Sequence, residues 1–176
     1  TIIATFAGYA VATMRFPGRN CLLAVTLAFM SIPSTVITVP LFLMYSKIGL
    51  VGTPWAVIVP QLATPFGLYL MIIYAQTSVP VSLLEAAKLD GANSWTIFWR
   101  VAFPLLSPGF VTVLLFTLVG VWNNYFLPLI MLSDTKDYPL TVGLNMWLRM
   151  GAQGTADGQV PNNLIVTGSL IAVVPL

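Results

Sequence analysis

Few residues in this chain are equipped for bond chemistry. Histidine is absent, which removes the commonest general base and the commonest metal ligand. The single thiol, Cys21, cannot form an internal disulfide, sits in an apolar stretch and reads as packing. A membrane enzyme would therefore have to work through carboxylates at the interface. Glu85 and Asp90 are near in sequence, but an offset of five on a helix turns them apart. The informative interval is 77–104, TSVPVSLLEAAKLDGANSWTIFWRVAFP, where Glu85, Lys88, Asp90 and Arg100 stand between apolar stretches. Its residue types suit recognition. Ser78 can cap a helix with Pro80 in its first turn, or Ser82 can cap it with Glu85 closing a capping box. Leu83, Leu84 and Ala87 give that helix an apolar side, and Glu85 and Lys88 are polar at i,i+3. Gly91 can take the left-handed position that ends it. Asn93 or Ser94 can cap a second helix running to about Ala102, with Ile97, Phe98 and Val101 apolar. Periodicity leaves two readings open for this helix–glycine–helix element: a hairpin that joins two spans at the membrane surface, or a docking element presented to a soluble protein.

Composition says what surrounds it. Of 176 residues, 58% are hydrophobic and 7% are charged, whereas soluble domains are about a quarter charged. So few charges cannot cover a water-soluble surface of this size. The charges fall between apolar stretches that approach or exceed the roughly 20 residues needed to cross a bilayer. A net charge of +2 does not suggest nucleic acid as a partner. The expected fold is all-α, a polytopic bundle of transmembrane helices.

Apolar segments are expected at 1–14, 21–45, 55–76, 105–132 and from 163 onward. The chain begins inside one and ends inside another, so the reading is one membrane domain, 1–176, truncated at both ends. Pro33 and Pro40 kink the second segment, and Ser31, Ser34, Thr35 and Thr38 are placed to satisfy freed carbonyls. Pro60, Pro65 and Gly67 interrupt the third. The loop RFPGRN at 15–20 holds a Pro-Gly turn between two arginines. Alternating crossings put 15–20 and 77–104 on one side, with Arg15, Arg19, Lys88 and Arg100. The loops 46–53 and 133–162 fall on the other side, with Lys47, Lys136 and Arg149. The basic bias puts 77–104 in the cytoplasm and 133–162 outside. Within the latter, LTVGLNMWLRM is semi-apolar and suits a membrane surface.

The run EAAKLDGANSWTIFWRVAFPLLSP resembles the signature loop of permease subunits in bacterial ABC importers. Glu85, Ala86 and Ala87, then Gly91 six residues after the glutamate, then Phe103 and Pro104 a dozen further on, fit that pattern without a gap. Asp90-Gly91-Ala92, RFPGR, Thr53-Pro54-Trp55, Trp122-Asn123 and YPLTVGLN at 138–145 are similar to the carbohydrate-uptake branch, in particular its maltose-type second permease. The resemblance covers essentially the whole chain. It implies an inner-membrane, multi-pass, non-catalytic subunit with the ABC importer permease fold. It further implies that 77–104 is a coupling loop seated on a cytoplasmic ATP-binding subunit dimer, through Glu85, Ala86, Ala87, Asp90, Gly91 and Pro104. Glu85 would meet a basic residue there, the alanines would permit close approach and Gly91 would fix the bend. This chain would bind no cofactor, ATP and magnesium being held by the partner. A second, non-identical permease subunit, an extracytoplasmic solute-binding protein and the lipid bilayer complete the implied partners.

A sugar path needs hydroxyl-binding groups and aromatic faces. Gln61, Trp122, Asn123, Asn124 and Tyr125 offer these inside apolar stretches, with Thr64 and Asn145 as lesser candidates. The same groups could equally serve interhelical hydrogen bonding, with Trp122 as packing. An ion-gradient-coupled secondary transporter is the competing function. It would share the broken helices, but it calls for ionisable residues within the spans.

Overall fold

The computed structural model describes residues 1–152 and 162–173, and among them there is helix and no strand. The helices are α1 (Ile2–Thr13), α2 (Arg19–Met30), α3 (Ser34–Lys47), α4 (Trp55–Gln61), α5 (Pro65–Ser78), α6 (Val81–Leu89), α7 (Ser94–Ile97), α8 (Phe103–Trp122), α9 (Phe126–Met131), α10 (Leu140–Ala152) and α11 (Asn162–Val173). Among the described residues two stretches are long and apolar enough to cross a membrane: Trp55–Ser78, counted through its break, and Ser94–Trp122. The bent pair α2 and α3 would make a third if taken as one broken span. Residues group into two compact units, one of Thr1–Pro33 and Leu62–Thr117, the other of Ser34–Gln61 and Leu118–Leu176.

In the first unit α1 lies along α5. Helices in lipid gain little from burying apolar surface, so they pack where small residues let backbones approach. Gly8 is such a place: a Cβ there would sit 2.6 Å from the Met71 Cβ and 2.9 Å from the Met71 carbonyl carbon. Gly109 of α8 does the same for α5, since a Cβ would lie 2.5 Å from the Tyr74 ring. One apolar core joins Ala4 and Tyr9 of α1 to Met71 and Ala75 of α5, Leu84 of α6, Ile97 of α7, and Leu106 and Val113 of α8. In the second unit Tyr45, Ala56, Leu127 and Met131 form a separate core.

The prolines act more sharply than the sequence suggests. The segment 21–45 is not one kinked helix. It stops at Met30 and restarts at Ser34, because Pro33 has no N–H and disfavours helical backbone at Ile32. The expected hydroxyl rescue is only partial. Ser31 donates to Leu27 O at 3.3 Å and Thr38 to Ser34 O at 3.0 Å, which are ordinary i−4 bonds. Neither reaches the Val36 carbonyl, which Pro40 leaves without its donor. The third segment breaks at 62–64. Thr64 then caps α5, its Oγ1 accepting the Gly67 N–H at 3.3 Å, with Pro65 at the first helical position. The expected segment 105–132 also divides, ending at Trp122 and resuming at Phe126.

Candidate functional site

The interval 77–104 folds as two helices around a glycine. Its first helix, α6, does not use either expected serine cap. Pro80 occupies the capping position with extended backbone and no side chain bonds the first turn. Proline's fixed φ suits the start of a helix, and the Leu83 N–H donates to Pro80 O at 3.2 Å. The C-terminus follows the expectation closely. Gly91 adopts φ +80°, its N–H donates to Lys88 O at 3.0 Å and the Ala92 N–H donates to Ala87 O at 3.1 Å. That pair of bonds is the Schellman closure, which satisfies carbonyls the helix would otherwise strand. A Cβ at Gly91 would meet nothing within 4 Å, so the backbone angle alone selects glycine. Asn93 caps α7 as expected, its Oδ1 accepting the Thr96 N–H at 2.8 Å.

The second helix does not end at Ala102. A π-turn over Phe98–Ala102 carries α7 directly into α8, the Phe103 N–H reaching back to Phe98 O. Pro104 explains the wider turn. In α geometry its ring would strike the Arg100 carbonyl and offer it no donor, and a π-turn opens that space.

Packing fixes which side faces out. Leu84 is 7% exposed and reaches the core with Ile97 and Phe98, and Ala87 packs behind it. Leu83 is exposed, so the buried side of α6 is Leu84 and Ala87 without Leu83. Phe98 stacks on Phe6 of α1 with centroids 4.2 Å apart and meets Tyr9 edge-on at 5.2 Å. The outer side carries Glu85, Ala86, Lys88, Leu89, Asp90 and Gly91, all exposed, and among the described residues none of their side chains makes a hydrogen bond. Pro104 is exposed too, but at the start of α8. The structure thus leaves Glu85, Ala86, Asp90 and Gly91 exposed and turns Ala87 toward the core. It adds Leu89, which sequence reasoning passed over. At 89% exposure it is the most exposed large apolar side chain described. Its signal was its place, one turn beyond Glu85 and just before the glycine that ends the helix.

The polar residues at the end of α8 are largely occupied in tying helices together. Trp122 Nε1 donates to Ala172 O of α11 at 2.9 Å. Asn124 Oδ1 accepts the Leu127 N–H at the start of α9, and the Asn124 carbonyl accepts Thr141 Oγ1 from α10. Tyr125 donates to Asn145 Oδ1 at 3.3 Å, and Arg149 Nε donates to the same oxygen at 3.0 Å. Asn123 bonds only its own helix, through Val119 O, and is exposed. Among the described residues no hydrogen bond links Gln61, at the end of α4, to this group. Arg149 is the member that composition did not single out. Among the described residues no three His, Cys, Asp or Glu side chains group as a metal site would require.

Residues 2–176 match the family of binding-protein-dependent transport system inner membrane components. The chain belongs to that family. It is 30% identical over 171 residues to an arabinooligosaccharides transport system permease protein of Bacillus subtilis, covering 96% of this chain and 57% of the relative. An osmoprotective compounds uptake permease protein of Synechocystis is 36% identical over 146 residues, covering 81% of this chain and 49% of the relative. Among solved structures, a bacterial ABC transporter involved in the import of the acidic polysaccharide alginate superposes with a TM-score of 0.81 at 26% identity, over 99% of this chain and 64% of that one. The transport component described here therefore spans less than two thirds of these relatives. Its all-α permease fold and its kinship with sugar-transport permeases agree with the resemblance carried by Glu85 to Pro104.

Proposed function

We propose that this chain is part of the membrane-spanning subunit of an ATP-driven importer, which moves an oligosaccharide or related polar solute into a bacterial cell. ATP, with its magnesium, is bound and hydrolysed by separate cytoplasmic subunits docked on 77–104. The spans alternate between outward-open and inward-open states, with a second permease subunit completing the path and an external binding protein delivering solute to 133–162. The supporting observation is the division of α6 into two sides. Leu84 locks its inner side into the core shared with α1, α5 and α8, while Glu85, Leu89 and Asp90 stand outward without partners. A lever needs both: a rigid attachment to what it moves and a free face for what moves it.

Glu85 offers its carboxylate to a basic residue of the ATPase subunit. Ala86 allows close approach and Leu89 supplies an apolar anchor, while Asp90 and Gly91 hold the bend. Ala87 and Pro104 act indirectly, by setting the loop's shape. For the solute, Gln61 and Asn123 are the candidates least committed to holding helices together, and Trp122, Asn124 and Tyr125 are the remaining ones. The secondary-transporter reading has less support, since Trp55–Ser78 carries no Asp, Glu, Lys or Arg and Ser94–Trp122 carries only Arg100, near its start.

Solubilising the full-length protein gently from membranes tests this reading. An ATPase subunit is expected to co-purify, and Glu85→Lys and Gly91→Trp are expected to weaken its retention at least tenfold. Intact membrane complexes without an ATPase would defeat it.

A further inference from the structure

The loop between α1 and α2 holds a second feature that docking does not use. Arg15 and Arg19 flank the Pro17–Gly18 turn, Arg15 in the loop after α1 and Arg19 at the start of α2. They line a cavity of about 240 Å³ together with Phe16, Gly18, Asn20 and Cys21. Arg19 Nε is buried and has no hydrogen-bond partner, the one such side-chain atom among the described residues. A buried guanidinium nitrogen without an acceptor is costly, and it marks a place where an acceptor belongs. The α1 carbonyls do not supply it: Nη2 reaches Ala12 O only at 3.5 Å. No described carboxylate bonds either arginine. The helix α2 starts at the same spot, with Gly18 at φ +91° and no side chain capping its first turn, so backbone amides add to the positive field. Phe16 lines the cavity, and Met14 before it and Leu22 and Val25 along α2 are exposed apolar side chains.

We infer that Arg15 and Arg19 form a binding site for the phosphodiester headgroup of an anionic phospholipid. Planar guanidinium groups suit phosphate oxygens in bidentate geometry. A phosphate in the cavity would bridge the guanidinium groups that line it, and the acyl chains would lie along the exposed apolar side chains of α2. That apolar rim selects a lipid over free phosphate. The inference rests on membership of a membrane-protein family and not on the docking reading, so either can fail alone.

The test uses full-length protein purified with its partners and exchanged into micelles doped with phosphatidylglycerol or phosphatidylcholine, with retained lipid counted by native mass spectrometry. Phosphatidylglycerol is expected to be retained preferentially. Arg15→Gln, at an exposed position that should not disturb folding, is expected to reduce that preference roughly fivefold, and the double variant with Arg19→Gln roughly 25-fold. Inorganic phosphate is expected not to displace the lipid. Equal retention of both lipids, or a preference unchanged in the two variants, would overturn the site. Displacement by inorganic phosphate would overturn the lipid in favour of a free anion. If the variants lose the ATPase subunit and keep the lipid, the arginines serve a protein partner and the inference fails.

Discussion

Gly91 and Leu89 show how little of a functional surface needs unusual chemistry. At Gly91 the whole requirement is a backbone angle, because space for a side chain is open. Replacing it with alanine should destabilise the turn by about 1–2 kcal/mol, the left-handed penalty for an ordinary residue, and asparagine should recover part of that. Hydrogen exchange at the Asp90 and Ala92 amides, which close the turn onto Ala86 and Ala87, reads the change. Equal protection in the alanine and glycine forms would show that the angle is not constraining. Leu89 makes the opposite demand. A leucine 89% exposed contributes almost nothing to the fold. Leu89→Asp should therefore leave the melting temperature within about 2 °C and still weaken ATPase retention. Loss of the fold in that variant would place the side chain in an internal role that its exposure denies. The sequence carried the glycine plainly, since Asp-Gly after a short amphipathic run ends a helix. It did not mark Leu89, because period alone cannot tell an apolar residue that faces the core from one that faces a partner.

At the level of helices, the attachment of α6 and the π-turn decide whether motion at the loop reaches the spans. Leu84→Ala removes the main contact of α6 with the core and should cost about 2–3 kcal/mol, the low end for a buried leucine on a small element. The ATPase should still bind, because the outer face is untouched, while uptake per ATP hydrolysed falls. Unchanged coupling would mean that force travels by another route. The π-turn gives a geometric prediction. Deleting Val101 should return Phe98–Ala102 to α geometry and turn α7 by about 100° relative to α8. That swings Phe98 away from Phe6 and Tyr9, and it returns Pro104 to a clash with a carbonyl. Folding should suffer more than for Val101→Ala, which keeps the register, and thermal unfolding of both variants measures the difference. Helix ends at Gly91 and Asn93 were legible because caps have local signatures. The π-turn was not, because nothing in FWRVAFP distinguishes a helix that ends before proline from one that widens to pass it. The same blindness hid the breaks at 31–33 and 123–125. Proline announces an interruption there, or polar residues do, but whether a helix bends or stops depends on what packs around it.

For the molecule as a whole, composition settles the membrane, and the run from Glu85 to Pro104 carries the family, which the match over residues 2–176 shows. The translocation path was the least legible part. Trp122, Asn124 and Tyr125 are the residue types a sugar site needs, and they are equally the types that bond helix to helix in lipid. The structure finds them doing the latter, with Asn145 joining Tyr125 and Arg149 through one oxygen. The central claim is that the outward side of α6 is where an ATPase subunit sits. Cysteine cross-linking addresses it directly, in a background where Cys21, the one thiol among these 176 residues, and any further thiol of the full-length subunit are changed to serine. In that background Leu89→Cys should cross-link to an ATPase subunit in the full complex, by mild oxidation to a surface cysteine lying opposite or through a short bridge with one thiol-reactive and one amine-reactive end. Leu115→Cys, 57% exposed on the middle of α8, should not. Cross-linking at 89 and silence at 115 is the result the account predicts. An intact complex that does not cross-link from position 89, or that cross-links as readily from position 115, would contradict it.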